Sequence, residues 1–358
     1  VPVRWEEARK IPQRTIEPGD IILEISGGTS DRPTGRTIFA KQSLLDSLGR
    51  PAIPASFCRL LRIDHSLADP EYVYWWLQGM YLDGRTWSYQ NRSTGIANFQ
   101  FEHFLDTESV LLPSRDEQTG IAATLSALDE KIESNRRLRE LMRSLGSAFL
   151  SAAIADAPSR VLPLGELTTS IARGVAPKYA DDDPSAPLVL NQKCVRGGWV
   201  TASRARRMVD RGVSPHRMVN GGDVLVNSTG TGTLGRVGRW HGGTIFADGH
   251  VSVVKTDTAI ADPTVLAYAL FPRESDIEGL ATGSTGQTEL SPSRLASLIV
   301  ELPDPKLSAG LEPTLLAIED RINGLEEEDE LLTRLRDTLL PDLLSGRIRV
   351  PELAVVRT

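Results

Sequence analysis

The sequence predicts an α+β protein: two pseudo-symmetric mixed α/β domains joined by two long helices that form an antiparallel coiled coil. Three observations carry this reading. A chain of 358 residues exceeds one ordinary hydrophobic core, so two or more domains are expected. Six short motifs occur twice, in the same order. Two segments share an apolar repeat averaging 3.5 residues, the spacing of a coiled-coil seam.

The repeat begins at Gly19-Asp20-Ile21-Ile22-Leu23, which returns as Gly222-Asp223-Val224-Leu225-Val226. Each is followed by a Ser/Thr/Gly-rich loop. Thr37-Ile38-Phe39-Ala40 returns as Thr244-Ile245-Phe246-Ala247, and Asp69-Pro70 as Asp262-Pro263. Ser93-Thr94-Gly95 returns as Ser284-Thr285-Gly286, and Leu112-Pro113 as Leu302-Pro303. An insertion near Lys41–Ala55 absorbs most of the drift in offset. Six ordered matches mark a duplicated unit.

Each copy therefore predicts a Gly-Asp turn, a strand, a polar loop, the Thr-Ile-Phe-Ala strand and a third strand at Phe57–Ile63 or His250–Lys255. Asp69 and Asp262 read as helix N-caps with proline in the first turn. Trp75 and Trp76 on the first of these helices read as core residues. A Ser-Thr-Gly loop, a short helix and a strand ending in Leu-Pro complete each copy.

After each Leu-Pro the period changes. Ile121, Leu125, Leu128, Ile132, Asn135, Met142 and Phe149 are matched by Leu311, Leu315, Ile318, Ile322, Leu325, Leu332 and Leu339. A helix of ~35–40 residues is roughly 55–60 Å long, too long for the inside of a small domain. Paired antiparallel, two such helices act as a ruler holding two similar surfaces a fixed distance apart. Duplex DNA suits such a ruler, because half-site spacing is a geometric constant. The acidic run Glu326–Glu330 reads as a solvated helix face, and Asp181–Asp183 as a solvated loop.

Composition is that of a soluble cytoplasmic protein with no membrane span or signal peptide. Two cysteines, Cys58 and Cys194, exclude a disulfide framework and a cysteine zinc site. The net charge of −7 argues against a general polyanion binder. Its distribution matters more: residues 160–300 carry 15 Lys+Arg against 13 Asp+Glu, and residues 301–345 carry 4 against 12. The acidity thus concentrates in the C-terminal helix.

Gly230-x-Gly232-x-x-Gly235 spells a dinucleotide fingerprint after an apolar run. The fingerprint needs a helix next, whereas more glycines and β-type residues follow, so nucleotide binding is disfavoured. A hairpin between strands and a loop beside a DNA backbone remain the alternatives. Catalytic motifs are also missing. No Asn/Asp-Pro-Pro-aromatic methyltransferase site and no H-E-x-x-H occur, and the five histidines lack ligand spacing.

Taken together, GDVLVNSTGTGTLGRVG, GSTGQTELSPSRLASLIVELP, LLPDLLSGRIRV, STGIANFQFEHFLDTESVLLP and DEQTGIAATLSALDEKIESNRRL resemble the specificity (S) subunit of a type I restriction-modification system, essentially end to end. The resemblance implies target-recognition domain 1 at 1–112, spacer helix 1 at 113–157, target-recognition domain 2 at 158–303, spacer helix 2 at 304–346 and a tail at 347–358. By comparison with the second copy, the first domain is expected to be shortened at its N-terminal end by roughly 40 residues. The resemblance further implies a non-catalytic subunit that reads a bipartite duplex target. Its partners would be double-stranded DNA, two methylation subunits and two restriction subunits. S-adenosylmethionine, ATP and Mg would be bound by those partners, with no cofactor, metal or small-molecule substrate on this chain. The rival reading is a coiled-coil scaffold that does not touch DNA.

On this reading the candidate DNA-binding residues lie in three places. Asn227, Ser228, Thr229, Thr231 and Thr233 form the glycine-rich loop, with Arg236 and Arg239 behind it, within reach of phosphate or guanine. Ser284, Thr285, Gln287 and Thr288 form the second-copy Ser-Thr-Gly loop, where a glutamine suits adenine. Ser93, Thr94 and Asn98 form its first-copy equivalent. Lys193, Arg204, Arg206 and Arg207 read as phosphate contacts or plain surface.

Overall fold

A computed structural model describes residues 3–350 apart from 4, 8, 10, 30, 31, 93–96 and 284–287. These residues form two compact units, one of residues up to 134 and from 328 onward, the other of residues 135–327. Each unit combines small sheets, a proline-started helix and a stretch of both long helices. Among the described residues no helix is long and apolar enough to cross a membrane.

The long helices span Arg115–Asp156 and Pro305–Leu344. Ser114 and Glu117 begin the first by bonding each other's backbone N–H, at 3.4 and 3.2 Å, a reciprocal cap that satisfies two orphan donors. Asp304 begins the second, accepting from Lys306 and Leu307 N–H at 2.9 and 3.0 Å. Gly346, at φ 72°, ends it in the left-handed conformation open to glycine.

Within each unit the two helices pair antiparallel. In the first, Arg336 Nη1 donates to Asp129 Oδ1 at 2.7 Å, and Lys131 Nζ lies 3.4 Å from Glu328. In the second, Arg139 Nη1 donates to Glu326 Oε2 at 3.0 Å, and Arg143 Nη1 lies 3.1 Å from Glu319. Leu125, Ile132, Leu315, Ile322, Leu325 and Leu340 are buried along the seam.

Two expectations about these helices need correction. Phe149 is 40% exposed while Leu150 is 4% exposed, so the seam past Asn135 runs one residue out of the predicted phase. The buried positions before Leu150 include Arg139 and Arg143, which an apolar count cannot find. The run Glu326–Glu330 is also not a uniformly solvated face. Glu326 pairs with Arg139, Glu328 with Lys131, and Asp329 is buried.

In the first unit, Ile21–Glu24 is the centre of a three-stranded antiparallel sheet between Thr37–Phe39 and Cys58–Leu61. A second sheet holds Ser26–Gly28, Ala97–Phe99 and Gln90–Arg92. The helix Pro70–Leu82 starts as predicted, with Asp69 accepting from Glu71 and Tyr72 N–H. Its one face meets Ile21, Leu23, Phe99 and Phe104 through Val73, Trp76, Leu77 and Met80. Its other face places Tyr72 and Trp75 against Ile121, Leu125, Leu340 and Leu343. Both tryptophans are therefore core residues.

The second unit is larger. Its six-stranded sheet runs Val195–Arg196, Gly198–Val200, Val237–Arg239, Val224–Asn227, Val251–Thr256, Thr168–Arg173. A four-stranded sheet runs Arg206–Arg207, Leu188–Leu190, Ile245–Ala247, Met218–Val219. Leu190, Val219, Leu225, Ala247 and Val253 form a core shared by the two sheets. Here the two copies differ in pairing. In the first copy the Thr-Ile-Phe-Ala strand pairs with the Gly-Asp strand. In the second, Val237–Arg239 takes that place and Ile245–Ala247 joins the other sheet. The extra hairpin in the second copy displaces a motif that the sequence preserves.

The helix Pro263–Leu270 repeats the docking of Pro70–Leu82. The sequence offset relating Asp69 to Asp262 also relates Trp75 to Tyr268 and Ser126 to Glu319. Trp75 Nε1 donates to Ser126 Oγ at 2.9 Å, and Tyr268 Oη donates to Glu319 Oε1 at 2.9 Å. Gly146 makes room for Tyr268, because a Cβ there would overlap its ring. In an open helix interior Gly→Ala gains about 1 kcal/mol; here overpacking costs about 1–3 kcal/mol. Gly146→Ala is therefore expected to lower the thermal midpoint. A raised midpoint would show that Tyr268 does not pack there.

Candidate nucleic-acid interface

The polar loops of the second unit gather at one edge of the six-stranded sheet. Val224–Asn227 ends there, Val251 begins opposite Asn227, Val237 begins opposite Val226, and Arg173 ends opposite Ser252. The strands deliver residues 228–236, His250 and Arg173 to that edge.

Gln192 organises the loop. Its carbonyl accepts from Asn227 Nδ2 at 3.0 Å, and its Nε2 donates to Thr229 Oγ1 at 2.6 Å. Thr229 Oγ1 also lies 2.8 Å from His250 Nδ1. Glu289 joins through a bridge to Thr229, and Leu290 N–H donates to Ser228 O at 2.8 Å. Arg173 pairs with Glu289 and donates to Leu290 O at 2.8 Å. Thr288, exposed, is thereby brought beside the glycine-rich loop.

The glycines have structural tasks. Gly230 and Gly235 sit at φ 100° and 84°, conformations that side chains rarely adopt. A Cβ on Gly235 would also press within 2.5 Å of Glu274 O. The segment after them is the strand Val237–Arg239, not the helix a pyrophosphate requires.

Several sequence candidates are not on the surface. Asn227 and Ser228 are fully buried, and Ser228 Oγ shares a 2.6 Å hydrogen bond with Ser252 Oγ. Arg239 is 7% exposed, with Nε directed to Gly222 O at 3.4 Å. Burial pulls its pKa down against the opposing charge of Glu319. Their strands are covered on both faces, buried at every position from Val224 to Asn227 and from Val237 to Arg239, so these three leave the set of contact candidates. Arg206 and Arg207 are spent locally. Arg206 bonds Asp181 and stacks 3.4 Å over the Tyr179 ring, while Arg207 Nη1 donates to Ala186 O at 2.6 Å.

What remains exposed or half-exposed is Thr229, Thr231, Thr233, Arg236, Thr288, Lys193 and Arg204. Arg236 donates to Gly232 O at 2.8 Å, so it braces the loop. Asn191 ties the two cations together: Oδ1 accepts from Lys193 N–H at 2.8 Å, and Nδ2 donates to Arg204 O at 2.9 Å. Lys193, Arg204 and the neighbouring Arg196 have exposed side chains without an ion-pair partner among the described residues. Gln192, His250, Arg173 and Arg196 were missed by sequence reasoning. Only Asn191 preceding Gln192-Lys193 carried a signal, as an N-cap.

In the first unit Asn98 is exposed on Ala97–Phe99, opposite Ser26 and Asn91. Ser93, Thr94, Ser284, Thr285 and Gln287 lie outside the described residues. No cluster of three or more His, Cys, Asp or Glu that could hold a metal occurs among the described residues.

No protein-family model matches the chain, and no curated protein matches it. Solved structures do. The crystal structure of a type I restriction-modification system S subunit from M. genitalium aligns over 92% of this chain and 84% of its own, at 18% identity and a TM-score of 0.53. The chain shares the fold of that S subunit. The HsdS subunit from Thermoanaerobacter tengcongensis aligns over 93% and 82%, at 18% identity and a TM-score of 0.36. A chain from a study of complex assembly and conformational transition of the type I R-M system aligns over 94% and 85%, at 17% and 0.37. The S-subunit fold agrees with the α+β class and paired long helices expected from the sequence.

Proposed function

We propose that the chain is the DNA-recognition subunit of a type I restriction-modification complex in the cytoplasm. Each globular region reads one half of a bipartite duplex target. Methylation and restriction subunits assemble on the chain and supply the S-adenosylmethionine, ATP and Mg chemistry. The observation that carries this is the sheet edge of the second unit. There hydroxyls on glycine-opened loops are tied through Gln192 to the stretch that carries Lys193 and Arg196 and, through Asn191, to Arg204, three cations without an ion-pair partner among the described residues, on an S-subunit fold. The cations suit phosphate and the loop side chains suit base edges.

The scaffold reading keeps one favourable observation. Leu138, Leu141, Leu145 and Phe149 are each 39% or more exposed along the first long helix, at spacings that place them on one face. An apolar stripe of this kind marks a protein partner, which the S-subunit reading also requires.

The discriminating test is duplex binding by the chain together with its methylation partner. Binding that ignores sequence at every salt concentration favours the scaffold. Replacing Lys193, Arg196 and Arg204 with Ala is expected to weaken binding to all duplexes and flatten the log–log salt slope by about 3. An unchanged slope removes these side chains from the phosphate contacts.

A further inference from the structure

His250 carries a polar atom that the sheet edge does not spend. It stands on the turn Asp248-Gly249-His250, which leads into the strand Val251–Thr256. Its backbone is pinned on both sides. The N–H donates to Asp248 Oδ1 at 2.8 Å, and the carbonyl accepts from Ser228 N–H at 2.8 Å. Its Nδ1 meets Thr229 Oγ1 at 2.8 Å. The residue is nevertheless exposed, and Nε2 makes no hydrogen bond among the described residues.

The polarity of the Nδ1 contact follows from its neighbours. Thr229 Oγ1 has one hydrogen to give. It accepts from Gln192 Nε2 at 2.6 Å, while Gln192 Oε1 faces Thr233 Oγ1 at 3.5 Å. The Thr229 hydroxyl therefore donates its own hydrogen to His250 Nδ1. A neutral imidazole that accepts at Nδ1 carries its proton on Nε2. The two ring nitrogens diverge, so the loop holds one and leaves an Nε2–H donor free. Three contacts fix that donor in place before any ligand arrives, which lowers the ordering cost of using it.

The donor suits a base better than a phosphate. Lys193, Arg196 and Arg204 are cations available for phosphate, whereas a neutral imidazole offers one N–H and no charge. In the major groove guanine presents two acceptors, N7 and O6, while adenine and cytosine place amino donors there.

We propose that His250 is a specificity-determining residue of the second unit. Its Nε2–H reads a guanine in one half of the target, with Thr229 and Gln192 as the positioning residues. This rests on the DNA-recognition reading above.

Competition binding by the chain with its methylation partner tests the proposal, using duplexes that carry each base pair in turn at every target position. His250→Phe keeps an aromatic ring and removes both nitrogens. It is expected to lose on the order of tenfold of the preference for guanine at one position of one half-site, with every other position unchanged. Thr229→Val, which frees the imidazole, should relax that same position. An unaltered preference in His250→Phe would overturn the proposal and leave the DNA reading standing. Equal weakening on all duplexes would also overturn it, by assigning His250 to phosphate. A wild-type complex without any sequence preference would sink the DNA reading and this proposal with it. A measurement without DNA checks the relay alone: nitrogen–proton NMR correlation on the histidine-labelled full chain, at about pH 8 where imidazole is neutral. The His250 proton is expected on Nε2, and a proton on Nδ1 would overturn the proposal.

Discussion

Glu319→Ala is expected to destabilise the second unit by about 3–5 kcal/mol, the cost of stripping one partner from a buried ion cluster. Glu319 is fully buried on the second long helix. It accepts from Tyr268 Oη at 2.9 Å and His241 Nε2 at 3.0 Å, with Arg143 Nη1 at 3.1 Å. Removing it leaves Arg143 and Arg239 buried without their shared anion. Arg143 would keep its packing over the Phe271 and Tyr268 rings, 4.3 and 5.9 Å from their centroids. Against a total of about 5–15 kcal/mol, that loss is enough to release the globule from the helices.

The same cluster sets a pH dependence. Burial alone would raise the Glu319 pKa, but the His241 hydrogen bond and the Arg143 charge outweigh it and hold the carboxyl below its ordinary 4.5. A carboxylate depressed on folding stabilises above its unfolded pKa and loses that contribution as pH falls through the folded one. Acid unfolding of the second unit is therefore expected below about pH 4.5, and Glu319→Ala should lose this acid limb. Chemical unfolding followed through Trp199 and Trp240 measures both effects. A change within about 0.5 kcal/mol, or an unaltered acid limb, would mean that Glu319 does not hold the cluster.

The second large effect concerns spacing. Inserting one heptad into each long helix, after Ser134 and after Glu327, keeps the seam in phase. It adds about 10 Å per helix at 1.5 Å per residue. Duplex DNA rises about 3.4 Å per base pair, so the gap between recognised half-sites is expected to widen by about 3 base pairs. The half-sites themselves should stay the same. Mapping methylated adenines in DNA from cells carrying the variant and its methylation partner reads the outcome. Altered bases with an unaltered gap would sink the ruler model. A heptad in one helix alone would misalign Arg139 with Glu326 and should instead destabilise the pairing.

Features set by local chemistry were legible in the sequence. Asp69 and Asp262 cap their helices because aspartate followed by proline specifies that geometry whatever surrounds it. The long helices were legible because an apolar period needs no knowledge of the partner. The reading failed where a position is decided by what lies across from it. Arg139 and Arg143 occupy the seam because Glu326, Glu319, Trp199 and Phe271 face them. Ile245–Ala247 changes sheets because Val237–Arg239 occupies the place its first-copy twin holds.

The candidate site was legible only in outline. Residue type pointed to Thr229, Thr231, Thr233, Lys193 and Arg204. It also pointed to Asn227, Ser228 and Arg239, which lie buried where the sheet is covered on both faces. Gln192 and His250 went unnoticed because each acts through Thr229, a contact made by sheet register rather than by sequence neighbours.

The central claim is that the second-unit sheet edge reads one half of a two-part DNA target. The most direct measurement is the methylated-adenine motif produced by the chain and its methylation partner, before and after replacing Thr231 and Thr288 with Ala. The expected result is a motif of two specified halves across a fixed unspecified gap, with the replacements relaxing one half and leaving the other intact. A single ungapped motif, or replacements that relax both halves equally, would contradict it.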